Sequence, residues 1–216
     1  IESLESDGRA ALADLSLRQY YRPVVLLAWW AVQQVSRSPA AFHALNVALH
    51  AVATVLAVVV IRRVAGVRPL AALVGGLIFA VHGSRTGSVA WITGLLDVLP
   101  AIPALAALAL AASPVDSRER VRSAWIAALC ALALLGKETS AVIPALVVAV
   151  APAGMKLRAA LVRAAPSALV VGLAGLARVV WMPLGGERWP IALSSRVGLA
   201  LESLGRFARL TAWPTS

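Results

Sequence analysis

Read for polarity alone, the chain is a set of long apolar runs cut by short basic loops. Apolar and small residues fill Phe42 to Arg63 ("FHALNVALHAVATVLAVVVIRR"), Arg68 to His82 ("RPLAALVGGLIFAVH"), Leu95 to Ala112 ("LLDVLPAIPALAALALAA") and Val162 to Met182 ("VRAAPSALVVGLAGLARVVWM"). Before the last run, "SAWIAALCALALLGKE" and "TSAVIPALVVAVAPA" form two short arms on either side of adjacent opposite charges, Lys137 and Glu138. A helix crosses hydrocarbon with about 20 apolar residues, so the pattern predicts an all-α, polytopic transmembrane bundle of about six spans. The Arg68–His82 span is short. The Leu95–Ala112 span carries Pro100 and Pro103, which are expected to kink it. Residues 42–182 form the expected membrane core. Segments 1–41 and 183–216 are expected on its outer face, each as a loop with an interfacial helix.

Composition agrees about the solvent. Hydrophobic residues make up 60% of the 216-residue chain and mean hydropathy is +0.83, well above the roughly 45–50% apolar usage of soluble domains. The net charge of +10 does not point to nucleic acid: the basic residues are scattered between apolar runs, without an aromatic-basic RNA-binding motif. A single cysteine, Cys130, gives neither a disulfide framework nor a cysteine-based metal site. The opening "IESLESDGRAALADLSLRQYYRP" has no start Met and no hydrophobic leader, so the chain is expected to be an internal fragment or a protein lacking its first span.

The basic loops alternate. Arg62, Arg63 and Arg68 form one, Arg118, Arg120 and Arg122 the next, and Lys156, Arg158 and Arg163 the third. The positive-inside rule places them in the cytoplasm, with the N-terminal segment, Gly83 to Gly94, the Lys-Glu turn and everything after Pro183 outside a cell (inner) membrane. Trp91, Trp181 and Trp189 then fall at the outer boundary and Trp125 at the inner one, where amphipathic rings prefer to sit.

Polar residues inside apolar runs carry the candidate chemistry. His43, Asn46 and His50 share one helical face in the outer half of the first span, either as helix–helix hydrogen-bonding groups or as the lining of a wet cavity. Two histidines seven apart are a weak metal signal, so no metal site is assigned; a divalent ion is compatible with the reading but unsupported. Lys137, Arg178, Arg22, His82 and Arg85 form a cationic collection at one depth, which suits a phosphate because Arg grips its oxygens bidentately and Lys adds a point charge. The structural alternatives are a local Lys137–Glu138 ion pair at a helix break and a snorkelling Arg178. Asp97 opens the third span as a first-turn acid or as a base for an acceptor proton, whereas Glu2, Glu5, Asp7 and Asp14 read as solvated surface.

The order of these features carries a resemblance. "YYRPVVLLAWWAVQQVSRSPAAFHALNVALHAVATVLAVVVIRR", "GGLIFAVHGSRTGSVAWITGLLDVL", "ALALLGKETSAVIPALV", "GLARVVW" and "ALESLGRFARLTAWP" resemble, in order from Tyr20, blocks of the transmembrane and tetratricopeptide-repeat O-mannosyltransferase family and its bacterial relatives. The resemblance implies a GT-C fold and transfer of a sugar, mannose among the candidates, from a polyprenyl-phosphate donor to an acceptor hydroxyl at the outer face. It implies membrane lipid, the lipid-linked donor and a protein or glycan acceptor as partners. Arg22, Lys137, Arg178 and Arg85 would hold donor phosphate, His43, Asn46, His50 and His82 would line the cavity, and Asp97 and Glu138 are the catalytic candidates.

The chain departs from the family's pattern after His82. Where the family usually reads Pro, His and Glu, it has Gly83, Arg85 and Gly87, and Leu95 replaces an Arg. The paired acids of the family's first outer loop are expected upstream of Ile1, which leaves binding without turnover as the expectation for this chain alone. The tetratricopeptide repeats of many members are not in it. A transporter, a lipid-binding membrane protein and an inactive relative are the rival readings.

Overall fold

The computed structural model describes residues 22–181 and a few helical positions between 198 and 209. Glu2, Glu5, Asp7, Asp14 and Trp189 lie outside the described residues, as does most of segment 183–216. The described residues form helices joined by short turns: α1 Pro23–Val35, α2 Pro39–Ala65, α3 Pro69–Val81, α4 Thr86–Ala90, α5 Leu95–Ala111, α6 Glu119–Leu134, α7 Ile143–Ala149 and α8 Leu157–Trp181. Single 3-10 turns lie at Gly83–Arg85, Ile92–Gly94 and Glu138–Val142, and no strand occurs among the described residues. Proline opens α1, α2 and α3, where its missing N–H would have no helical partner and its fixed φ suits the first turn.

Among the described residues, three helical stretches are long and apolar enough to cross a membrane: Pro39–Ala65, Ile92–Ala111 and Leu157–Val180. They correspond to the first, third and last expected spans. The second, α3, has only 13 residues, and Glu138–Ala149 is likewise short. The α5 helix holds both Pro100 and Pro103 without interruption.

Helix α5 lies at the centre, packed against α2, α6 and α7, while α8 covers α6 and α7 and α3 leans on α2. The core is built from small or slim side chains: Ala107 and Ala111 of α5, Ile126, Cys130 and Ala133 of α6, Ile143 and Val147 of α7, and Ala164 of α8. Small residues let helix backbones approach closely, which is how helices associate when lipid removes the hydrophobic drive between them.

One end of α5 is closed by charge. Arg163, fully buried on α8, grips Glu119 with Nε on Oε1 (2.5 Å) and Nη2 on Oε2 (2.8 Å), and its Nη1 donates to the carbonyls of Ala111 and Ser113, the latter at 3.0 Å. Arg122 donates to Glu119 (2.7 Å), Asp116 (2.6 Å) and the Pro114 carbonyl (2.7 Å). Arg63, arriving from α2, donates to the Ala109 carbonyl (2.6 Å) and to Ser113 Oγ (2.9 Å). The last carbonyls of α5 have no helical donors left, and guanidinium groups supply both the hydrogen bonds and the positive charge favoured at a helix C-terminus.

Candidate functional site

The opposite end of α5 is open. Helix α6 stops at Leu134, and Lys137 takes an extended backbone (φ −158°, ψ 132°) before the turn Glu138–Val142. Extended backbone sends neighbouring side chains to opposite sides. Lys137 and Glu138 therefore do not close a local ion pair. Lys137 Nζ meets the Asp97 carboxylate of α5, and Glu138 receives Arg22 from just before α1, with Nη2 3.0 Å from Oε1 and 3.1 Å from Oε2 and Nε 3.3 Å from Oε2. Gly136 allows the first of these contacts: a Cβ there would lie 2.9 Å from Pro100 Cβ, so only glycine lets the turn rest on α5 one turn from Asp97.

Asp97, Lys137 and Arg22 line one cavity of about 420 Å³ with Ser88, Trp91 and Thr93. Ser88 Oγ donates to Asp97 Oδ2 at 3.4 Å. The wall folds back on itself at Gly94, where a Cβ would come within 2.1 Å of the Ser88 carbonyl oxygen. The carboxylates are the more open members: the side chains of Asp97 and Glu138 are 45% and 46% exposed, against 29% for Lys137 and 16% for Arg22. The expected cationic collection is thus largely compensated, since two carboxylates face two cations. Partial burial pushes the Glu138 carboxyl up, but the hydrogen bonds and charge of Arg22 outweigh it, and the charge of Arg178 adds to them. The group titrates below the usual glutamate range. Arg178 itself lies exposed in the last turn of α8.

A second cavity of about 310 Å³ is lined by His43, His50 and His82 among Val47, Val81 and Val89. The five-residue helix α4 is the wall between the two cavities, giving Thr86 and Val89 to the histidine side and Gly87 and Ser88 to the charged side. His50 holds the Ala80 carbonyl through Nε2 (3.0 Å) and stacks on Phe79 with ring centroids 5.6 Å apart. His82 Nδ1 accepts from the Ser84 N–H (3.3 Å), capping the turn Gly83–Arg85.

Asn46 lines neither cavity. It is buried, and its Nδ2 donates to the Trp91 carbonyl at 2.7 Å, clamping the loop wall to α2. The polar stripe of α2 therefore divides: His43 and His50 line a cavity, His50 also bonds helix α3 at the Ala80 carbonyl, and Asn46 is used for helix–loop bonding. The side chain of Arg85 lies outside the described residues. Among the described residues no group of three or more His, Cys, Asp or Glu is placed to hold a metal ion.

Ser88, Trp91, Thr93 and Gly94 were not among the sequence candidates. Their signal is the run "SVAWITG" beside Asp97, polar and small residues interleaved with one indole at the mouth of a span. No family model matches the chain, and no curated protein or solved structure is detectably similar to it.

Proposed function

We propose that the chain is a membrane glycosyltransferase component of GT-C type, with about six crossings of a cell (inner) membrane. The Lys137 cavity faces outward, and the reaction is transfer of a sugar from a polyprenyl-phosphate donor to a hydroxyl on a protein or glycan acceptor. The observation that carries the reading is the meeting of Asp97, Lys137 and Arg22, from three separate parts of an apolar chain, around one cavity. In the reaction the acceptor oxygen attacks the anomeric carbon, the carbon–oxygen bond to phosphate breaks, and the polyprenyl phosphate leaves with the electron pair. Lys137, Arg22 and Arg178 are the cations available to the leaving phosphate. Asp97, half-exposed beside the Ser88 hydroxyl, is the carboxylate available to take the acceptor proton. Donor phosphate competes with Asp97 for Lys137, which would free the carboxylate as the donor settles.

The pairing of each cavity cation with a carboxylate also favours a second reading, a lipid-phosphate-binding or transport protein without chemistry, or an inactive relative. One experiment separates them. Chain in nanodiscs is given a labelled polyprenyl-phosphate hexose and followed for retention and for transfer to a hydroxyl acceptor. The enzyme reading expects Asp97→Asn to keep the donor and lose transfer by about 10²–10⁴-fold, the usual worth of a general base. Transfer by the unaltered chain favours the enzyme, retention without transfer takes the base role from Asp97 and leaves donor binding, and no retention removes both.

A further inference from the structure

We infer that Trp91 is the platform on which the charged cavity holds a hexopyranose, with Asp97, Lys137, Ser88 and Thr93 reading the hydroxyls at its edge. This rests on the proposed lipid-linked sugar donor and names the group that selects its sugar. Trp91 lines the cavity with the polar residues Ser88, Thr93, Asp97 and Lys137, and it is 70% exposed rather than packed in a core. A pyranose has an apolar C–H face and a rim of hydroxyls that both donate and accept. An indole offers a flat apolar surface to the first. A carboxylate that only accepts, an ammonium that only donates and two hydroxyls that do either match the second. Few convergent polar groups beside an apolar surface, in a volume of some hundreds of Å³, is the form of a small-ligand site.

The position of Trp91 is specified from elsewhere in the chain. Its carbonyl takes two hydrogen bonds, from Asn46 Nδ2 at 2.7 Å and from the Gly94 N–H at 2.9 Å. Asn46 is 1% exposed, and a buried amide is costly unless bonded, so its place on α2 is tied to holding this one peptide. The close approach of Gly94 to Ser88 fixes the same segment from the other side. Trp30 and Trp125 are also exposed, at 61% each, but they lie on the helices α1 and α6 and neither lines the charged cavity. An indole that only anchors a loop at a lipid interface needs apolarity; a platform needs this fixed backbone as well.

The test compares two probes on the same protein in nanodiscs, polyprenyl-phosphate hexose and bare polyprenyl phosphate. The unaltered chain should retain the hexose-bearing lipid more tightly. Trp91→Leu, which keeps an apolar anchor and removes the flat ring, should lose that preference by roughly tenfold, the scale of one aromatic contact, with retention of the bare lipid unchanged. Trp91→Phe should restore most of it. Equal losses on both lipids, or an unaltered preference in Trp91→Leu, would overturn the inference and leave Trp91 as an interfacial anchor. An unaltered chain that holds both lipids equally would also overturn it while sparing the phosphate reading, whereas failure to hold either lipid removes the two together.

Discussion

The two ends of α5 carry similar charged groups and use them differently. At the Arg163 end, Arg163 and Arg122 share Glu119, and every guanidinium contact described there goes to a carboxylate, a hydroxyl or a terminal carbonyl of the α5 region. At the Lys137 end, Lys137 and Arg22 face Asp97 and Glu138, yet both acids are nearly half exposed and Asp97 lines a cavity of about 420 Å³. Charge count does not tell a structural plug from a candidate site. Burial of the central pair and the presence of a cavity do: Arg163 is fully buried on a Glu119 that is 27% exposed, with only the rim acid Asp116 open to solvent, whereas the second cluster sets Asp97 in a cavity, where an incoming ligand can reach its oxygens.

The largest effect should come from breaking the closed end. Arg163→Leu strips Glu119 of two donors and leaves α5 carbonyls without theirs, so the thermal unfolding midpoint in detergent should drop steeply, in line with about 3–5 kcal/mol for removing one partner of a buried pair. Arg163→Lys should recover little of this, because an ammonium cannot reproduce the fork that spans Glu119 and two carbonyls. A midpoint within a degree of the unaltered chain would erase the contrast between the two ends.

A smaller loss is expected from Gly94→Ala, which pushes a Cβ into the Ser88 backbone, an atom set that cannot swing aside as a side chain would. Overpacking of this kind costs about 1–3 kcal/mol, measured by the same melt, and it should deform the charged cavity without replacing any of its polar side chains.

The smallest effect belongs to the Arg22–Glu138 pair. Glu138→Gln should cost under about 1 kcal/mol, since the pair is partly solvated. Its pH dependence has a definite sign. The Glu138 carboxyl titrates below its usual range when folded, so the pair contributes fully above the unfolded value and is lost as pH falls below about 4. Melts from pH 6 downward should therefore show the unaltered chain and Glu138→Gln converging in acid. A gap that widens in acid would reverse the assignment.

The long helices were legible because their signal is local: α2, α5 and α8 each coincide with an apolar run, with ends shifted by a few residues. The shift at α8, which begins at Leu157 rather than Val162, has a reason in Arg163. That residue counted as a basic loop position, but its charge is neutralised inside the bundle by Glu119, 44 residues away. The acids Asp116 and Glu119, set among three arginines between two apolar runs, were the available hint. Lys137 and Glu138 were legible as misplaced charges but not as members of separate pairs, since their partners lie 40 and 116 residues away and the extended backbone between them has no sequence signature. Asn46 was legible as a polar residue in an apolar helix; its target, a main-chain oxygen 45 residues on, could not be.

The brevity of α3 has a consequence for how anything would reach the cavities. Its 13 residues rise about 20 Å, whereas the 27 of α2 rise about 40 Å. The two run antiparallel, with Gly76 against Val58 and Ala80 beside His50, so α3 ends level with a point roughly 16 Å short of the Pro39 tip of α2. The chain then turns at His82, and the histidine cavity runs along α2 from His50, level with the end of α3, up to His43, about one turn below the Pro39 tip. In a bilayer seated on the long helices, that cavity would open sideways above the end of α3, its depth set by how far one helix falls short of its neighbour.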